Sequence, residues 1–215
     1  MEVYQTEEQQ VDAIRSYWKE NGNYIIAGLA IGLASYVGFN LYKDSMLAEE
    51  VARSDAYQVV VNKIDKDTSG FQVAGDTFIV ENAKTSYASL TALSLAKETA
   101  SHKDWTKTAT YLTAAIENAP NDGIKAIATL RLARVQIQLA EFDNALATLT
   151  AKLPTSFNAS VEEIKGDAYL KQGKIEQART AYQQAIVTDG LTSSPILQMK
   201  LDNLAQAINL NGDVK

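Results

Sequence analysis

The pattern of apolar and polar positions separates one uncharged stretch near the start of the chain from a long series of amphipathic segments after it. The uncharged stretch is YIIAGLAIGLASYVGFNLY, residues 24–42, which Ser35 and Asn40 alone interrupt with small polar side chains. A helix of this length is about 28 Å long, close to the thickness of the hydrocarbon core of a bilayer. A soluble core helix would show a polar face, so the pattern predicts a single transmembrane helix.

A cleaved export signal and a buried core helix are the alternatives to a permanent span. The apolar core of an export signal has roughly 7–15 residues and follows a basic segment, whereas this stretch is longer and follows an acidic one. Acidic side chains outnumber basic ones in residues 1–23: Glu2, Glu7, Glu8, Asp12 and Glu20 against Arg15 and Lys19. We therefore predict an uncleaved span.

The basic residues on the two sides of the predicted span are balanced. Arg15 and Lys19 precede it, and Lys43 and Arg53 follow it. The flank that carries more Lys and Arg normally stays in the cytoplasm. Because neither flank carries more, the charges leave the orientation of the chain open.

Small residues recur within the span at a spacing that lets two membrane helices approach closely. Gly28 and Gly32 form a GxxxG motif, and Ala34 and Gly38 repeat its spacing. These four residues are candidates for pairing with a second membrane helix. The alternative is that they reflect only the general abundance of Gly and Ala in spans.

The tail before the span, residues 1–23, is predicted to contain a short amphipathic helix. Val11, Ile14 and Trp18 recur at helical spacing. Thr6 is the expected cap, and Asn21-Gly22 is the expected end of the helix. Such a helix suits either the membrane surface or the docking of a partner.

Residues 43–70 are predicted to form a juxtamembrane helix that ends in the linker DKDTSG. The same region partly matches a calcium-binding loop, with Asp65, Asp67 and Ser69 at ligand positions and Asp76 at the last one. The last ligand is normally a Glu, which reaches further than Asp. We therefore favour an ordinary turn between helices.

Residues 71–215 are predicted to form a tetratricopeptide-like helical-repeat domain. The segment SVEEIKGDAYLKQGKIEQARTAYQQAIVTDG places small and aromatic side chains where this motif packs its two helices, and two weaker copies precede it. Thr108, Ala145 and Ala178, the equivalent positions in the three second helices, are 37 and 33 residues apart. The period of the motif is about 34 residues. A closing helix is predicted after Ser194, its cap, and Pro195.

A stack of such repeats normally presents a concave surface to a polypeptide. In the predicted register, the first helix of each repeat contributes apolar and charged residues to that surface: Leu93, Lys97, Leu130, Arg134, Ile137, Glu163, Asp167 and Leu170. This mixture suits contact with a polypeptide. It equally suits a solvated groove, and a helical array without a binding role is the alternative to the repeat stack.

The composition argues against catalysis and against binding of nucleic acid. The chain has no Cys, one His and a net charge of −6, and no basic stripe overrides that charge. His102 is predicted to lie in a polar surface turn and builds no metal site by itself. We therefore expect no catalytic residue, no metal and no cofactor.

The chain resembles the YfgM family of proteobacterial inner-membrane proteins through MEVYQTEEQQVDAIRSYWKENG, the span, TLRLARVQIQL, GDAYLKQGKIEQAR and LQMKLDNL, in this order. The resemblance implies that the chain is an ancillary subunit of the SecYEG translocon, with a cytoplasmic tail and a periplasmic repeat domain. It further implies partnership with PpiD, a membrane-anchored periplasmic chaperone, and the onward transfer of newly exported polypeptides. It carries no catalytic motif.

The leading hypothesis is therefore a membrane-tethered binding module beside the translocation channel. A scaffold or regulatory adaptor whose repeat domain faces the cytoplasm is the second hypothesis, since the flanking charges permit it. The topology of the repeat domain separates the two.

Overall fold

The computed structural model describes residues 7–63, 68–188, 194 and 196–212, and over these residues it contains helices and no strand. The all-α prediction is therefore confirmed. The chain divides into two units, Met1–Ala52 and Arg53–Lys215. Thr6 and Pro195, two of the residues expected to shape helix ends, lie outside the described residues.

Helix α1 runs over Glu7–Asn62. The predicted helix end at Asn21-Gly22 is wrong, because the helix continues through both residues. The side-chain amide of Asn21 donates to the Tyr17 carbonyl at 3.2 Å. The indole of Trp18 covers Gly22, whose absent β-carbon would lie 3.3 Å from Trp18 Nε1. The helix therefore continues through a dipeptide that by itself favours a turn.

The part of α1 that lies in the first unit contains one segment that is long and apolar enough to cross a membrane. From residue 23 to residue 52, every side chain is exposed. The exposed side chains include Tyr24, Leu29, Ile31, Phe39 and Tyr42. An apolar surface of this extent, with no protein packed on it within its unit, is typical of a segment surrounded by lipid or by a partner.

The second unit is a series of helices in which most successive helices pack against each other. Its helices, with one 3₁₀ turn at Thr155–Phe157, are α2 (Thr68–Glu81), α3 (Ser86–Ser101), α4 (Trp105–Glu117), α5 (Asp122–Gln138), α6 (Phe142–Thr148), α7 (Asn158–Lys171), α8 (Ile175–Val187) and α9 (Leu197–Gly212). The pairs α3–α4, α5–α6 and α7–α8 are three helical hairpins, here called the first, second and third repeats.

The three repeats have the register that the sequence predicts. Thr108, Ala145 and Ala178 are all buried in the second helix of their repeats. In the third repeat the helices approach closely, because a β-carbon at Gly166 would overlap the ring of Tyr182. Small side chains at these positions allow each pair of helices to pack tightly.

The turns between the paired helices also repeat. Lys103, Ala140 and Gly173 take left-handed backbone conformations, with φ of 60°, 60° and 75°. At each turn, the amide of the following residue donates to a carbonyl in the last turn of the preceding helix, at 2.9, 2.8 and 2.9 Å. This is the Schellman arrangement, which Gly favours and which two of the three turns form without it.

The second unit begins before residue 71, where the repeat domain was predicted to start. Tyr57 and Val60, near the end of α1, belong to its core and pack with Phe71 and Phe78 of α2 and Leu95 of α3. The ring centroids of Tyr57 and Phe78 are 6.5 Å apart. The end of α1 therefore forms the first layer of the helical stack.

The core continues from one repeat to the next through α5. Leu132 and Val135 pack with the first repeat, whereas Leu130 and Ala133 pack against α6 and α7. At the far end, Leu197 and Leu204 of α9 pack on Tyr182 and its neighbours. Helix α9 therefore covers the apolar end of the third repeat, as the predicted closing helix should.

Candidate binding surface

A groove in the second unit, here called the first groove, lies between the first helices of the first two repeats. It has a volume of about 530 Å³. Its apolar floor combines half-buried Leu90 and Leu93 of α3 with buried Leu112 of α4 and buried Val135 of α5. Tyr57 closes one side. The floor is thus apolar, and it is accessible in part because Leu90 and Leu93 are only half covered.

The rim of the first groove is basic. Lys97 of α3 and Arg131 and Arg134 of α5 line it, and all three side chains are exposed. No carboxylate lines the groove. Within the described ranges, no carboxylate lies within 4.0 Å of any of the three cations. In a chain with a net charge of −6, the groove is therefore a local reversal of charge.

A smaller groove, here called the second groove, lies between α5 and α7. Its volume is about 210 Å³, and its lining comprises Arg134, Ile137, Gln138, Asp167, Leu170 and Lys171. Arg134 lines both grooves, so that one guanidinium group stands between them. The second groove carries both signs of charge, unlike the first.

The residues predicted to form a binding surface fall into three groups. Leu93, Lys97 and Arg134 line the first groove, and Ile137, Asp167 and Leu170 line the second. Leu130 is only 5% exposed and belongs to the core between α5 and α7, so it offers little surface to a partner. Glu163 is 9% exposed and is occupied by contacts with the end of the chain.

Those contacts form a polar network around Lys200 of α9. Lys200 Nζ donates to Glu163 Oε1 at 2.7 Å and to the two Asp167 oxygens at 2.8 and 2.9 Å. Ser194 Oγ donates to Glu163 Oε1 at 3.0 Å. Tyr182 donates its hydroxyl proton to Asp167 at 2.7 Å. Lys200 therefore pairs with both Glu163 and Asp167 of α7.

The network changes the proton affinities of Lys200 and Tyr182. Burial alone lowers the pKa of Lys200, but the hydrogen bonds to Asp167 and Glu163 outweigh it and raise that pKa above its ordinary value. Burial, together with the Asp167 carboxylate, raises the pKa of Tyr182. Both side chains therefore keep their protons to a higher pH than an isolated Lys or Tyr.

The sequence analysis missed three residues: Arg131 and Tyr57, which line the first groove, and Lys200, which forms the polar network. Arg131 precedes Arg134 by one helical turn, and this spacing would have placed it on the same face. Tyr57 and Lys200 belong to elements outside the recognised repeats. No local pattern links them to the grooves.

The small residues of the predicted span are accessible in the first unit. Gly28, Gly32, Ala34 and Gly38 are all exposed, and a β-carbon added at any of the three glycines would meet no atom within 4 Å. The positions are therefore open to a neighbouring helix.

The described residues contain no group of His, Asp and Glu side chains that could hold a metal ion. The calcium-loop match does not form such a loop, because α2 begins at Thr68 and its backbone is helical through Asp76. Asp65 and Asp67 lie outside the described residues. His102 lies in the exposed turn after α3 and contacts Glu98 at 3.1 Å.

Some known proteins are similar to this chain in sequence, and others are similar to it in fold. A family model described as "Tetratricopeptide repeat-like domain" matches residues 15–206. A relative from Escherichia coli (strain K12) is 31% identical over 95% of this chain and 100% of its own length. A relative from Haemophilus influenzae is 31% identical over 92% of this chain and 97% of its own length. Both relatives are named ancillary SecYEG translocon subunit.

Two solved structures resemble the fold at low sequence identity. The MamA RS-1 ArsTM double mutant superimposes with a TM-score of 0.53 at 15% identity, over 74% of this chain and 86% of its own. MamA 41-end from Desulfovibrio magneticus RS-1 gives a TM-score of 0.50 at 13% identity, over 76% and 97%. These structures support the helical fold alone. The sequence matches cover nearly the whole chain, and the chain belongs to the tetratricopeptide repeat-like family of ancillary SecYEG translocon subunits.

Proposed function

We propose that this chain is a non-catalytic ancillary subunit of the SecYEG translocon, anchored in the bacterial inner membrane by one helix. The observation that carries this proposal is the 31% identity with a relative of that name over its full length, which includes the apolar helix as well as the repeats. The exposed apolar segment of α1 supports the anchor. The open surface of Gly28, Gly32, Ala34 and Gly38 suits packing against another membrane helix.

In the proposed topology, residues 1–23 form a cytoplasmic tail and residues 24–42 span the membrane. Residues 43–70 lead away from the membrane, and the repeat domain works in the periplasm. Flanking charge leaves this orientation open. It follows instead from the resemblance to the YfgM family.

In this role, the repeat domain binds a PpiD-like membrane-anchored chaperone, emerging polypeptides, or both. The two grooves support this, because they offer apolar floors flanked by charged side chains along the first helices of the repeats. Tethering confines the domain beside the channel exit and raises the effective concentration of each partner. Weak contacts are then sufficient, and they allow a client to be released.

A topology measurement tests the proposal. The chain has no Cys, so a single Pro120→Cys variant carries one label site in the exposed turn between the first and second repeats. Pro120 is preferable to Asn121, whose side chain accepts the Ile124 amide at 2.9 Å and caps α5. A maleimide that crosses the outer but not the inner membrane should label Pro120→Cys in intact cells. Glu8→Cys, in the tail, is the matched control and should be labelled only after lysis.

The opposite labelling pattern would place the repeat domain in the cytoplasm. The export role would then fail, and the cytoplasmic adaptor would replace it. Photocrosslinking supplies a second readout. A photoreactive side chain at Gly32 should crosslink to a translocon subunit, and one at Lys97 to a chaperone or an exported chain. A normally abundant variant that forms neither crosslink would contradict the proposal.

A further inference from the structure

We propose that the first groove binds an acidic segment of a partner polypeptide that also carries apolar side chains. The inference rests on the proposed function, because it specifies the chemistry of the polypeptide that the repeat domain holds. In this complex, carboxylates of the partner contact Lys97, Arg131 and Arg134. An apolar side chain of the same segment covers Leu90 and Leu93.

Charge complementarity identifies an acidic occupant. The three cations of the rim surround one groove, and no described carboxylate neutralises them. Guanidinium groups bind carboxylates through two parallel hydrogen bonds, and Arg131 and Arg134 are one helical turn apart on α5. Two carboxylates at a similar separation on a partner segment can therefore be bound at the same time.

The apolar floor identifies a polypeptide rather than a small anion. Leu90 and Leu93 are half-buried beside buried Leu112 and Val135, so the floor has apolar surface to lose from water. Burying such surface contributes roughly 25 cal/mol per Å². A phosphate or a free carboxylate would leave this surface exposed. A segment that carries both acidic and apolar side chains would cover it.

The third repeat limits the site to the first two repeats. Lys97, Arg134 and Asp167 occupy equivalent positions, so the charge of this position changes from basic to acidic along the stack. Lys200 Nζ lies 2.8 Å from Asp167 Oδ1, so the acidic residue of the third repeat already has a cationic partner within the chain. The first two repeats have no such internal partner among the described residues. Their cations remain available to an external one.

The net charge of the chain adds selectivity. The chain as a whole carries a net charge of −6 and repels an acidic segment, whereas the first groove attracts it. A basic or neutral segment has no equivalent preference for this groove.

The test measures the binding of fluorescent synthetic peptides to the full chain in phosphatidylcholine nanodiscs. One peptide alternates Glu with Leu, the second has Lys in place of Glu, and the third has Ser in place of Leu. We expect the Glu/Leu peptide to bind about tenfold or more tightly than either of the others. Its affinity should fall as the salt concentration rises.

Variants of the rim locate the binding. Lys97→Gln combined with Arg134→Gln should weaken the Glu/Leu peptide by about tenfold or more. Both side chains are exposed, so the variant should fold, which circular dichroism verifies. Lys152→Gln removes one positive charge at an exposed site outside the first groove and should leave the affinity unchanged. Equal binding of the Lys peptide, or an unchanged affinity in the rim variant, would overturn the proposal.

Anionic lipid is the competing occupant of the first groove. The same variants show whether lipid binds there. If no peptide binds, and phosphatidylglycerol vesicles bind the wild-type chain better than the rim variant, the groove is a headgroup site and the proposal is wrong. Crosslinking to the translocon separates this inference from the proposed function. Retained crosslinks at Gly32 with no peptide binding would overturn only the inference, whereas loss of those crosslinks would overturn the proposed function.

Discussion

Lys200 Nζ lies 2.7 Å from Glu163 Oε1, and this ion pair joins the last helix to the first helix of the third repeat. The two residues are 37 positions apart in the sequence. Their side chains are 23% and 11% exposed, so water reaches the pair only in part. Removal of Lys200 would leave Glu163 buried with Ser194 as its remaining partner, which is costly for a charged group.

Lys200→Met should therefore lower the free energy of unfolding. We expect a loss of about 2 kcal/mol, the range for hydrogen bonds to charged groups. Urea unfolding of the full chain, followed by circular dichroism, measures it. Lys171→Met, at an exposed position on α7, is the control and should change the free energy of unfolding by less than about 0.5 kcal/mol. Equal losses in the two variants would show that the network does not hold α9 in place.

Tyr111 should make the fold sensitive to alkaline pH. Burial, and then the hydrogen bond and negative charge of Asp76, raise the pKa of Tyr111 from its ordinary value of 10.0 to about 12. Between these values the unfolded chain loses the proton that the folded chain keeps, so stability is full below pH 10 and falls as the pH rises towards 12. Tyr111→Phe should reduce this fall. The measurement is the urea midpoint of the wild-type chain and of Tyr111→Phe at several pH values from below 10 to about 12. If the two midpoints fall in parallel as the pH rises, the prediction is wrong.

The repeats could be predicted from the sequence because their positions are determined locally. Thr108, Ala145 and Ala178 recur at about the period of the repeat motif. Their small side chains let the two helices of each repeat approach closely, and all three are therefore buried. The long apolar helix could be predicted for a similar reason, since its length and lack of charge are properties of a continuous stretch. Neither prediction depended on contacts between distant residues.

The remaining features depend on such contacts. Tyr57 joins the core through Phe78, and Lys200 joins the third repeat through Glu163; neither pairing leaves a pattern in the surrounding sequence. Leu130 was predicted at the concave surface from the register of the repeat motif, which does not show how many neighbours each helix has. Helix α5 has neighbours on both sides, so a second face is buried and Leu130 lies in it. Periodicity alone does not distinguish these cases.

Gly166 lies where α7 packs closely against α8. A β-carbon there would overlap the ring of Tyr182, which is fully buried and whose hydroxyl is held by Asp167. The ring therefore has little freedom to move away. Gly166→Ala should lower the free energy of unfolding by about 1–3 kcal/mol, the usual cost of overpacking. Thermal unfolding of the full chain tests this, and an unchanged or raised melting temperature would mean that the two helices can separate without loss.

Ala140 offers the opposite result, a substitution that stabilises the fold. It occupies the turn of the second repeat at φ 60°, where the third repeat has Gly173 at φ 75°. A residue with a β-carbon is disfavoured there by roughly 1–2 kcal/mol relative to Gly. Gly also makes the unfolded chain more flexible, so Ala140→Gly should raise the free energy of unfolding by a smaller amount, about 0.5–1 kcal/mol.

The reciprocal variant, Gly173→Ala, is the matched control. No atom lies within 4 Å of the β-carbon that it would add, so only the backbone conformation opposes it. We expect it to lower the free energy of unfolding by about 1 kcal/mol. Urea unfolding of both variants under one set of conditions measures the two effects. If both substitutions shift the urea midpoint in the same direction, the two turns are not equivalent. The shared left-handed conformation would then not determine how Gly and Ala affect stability at these positions.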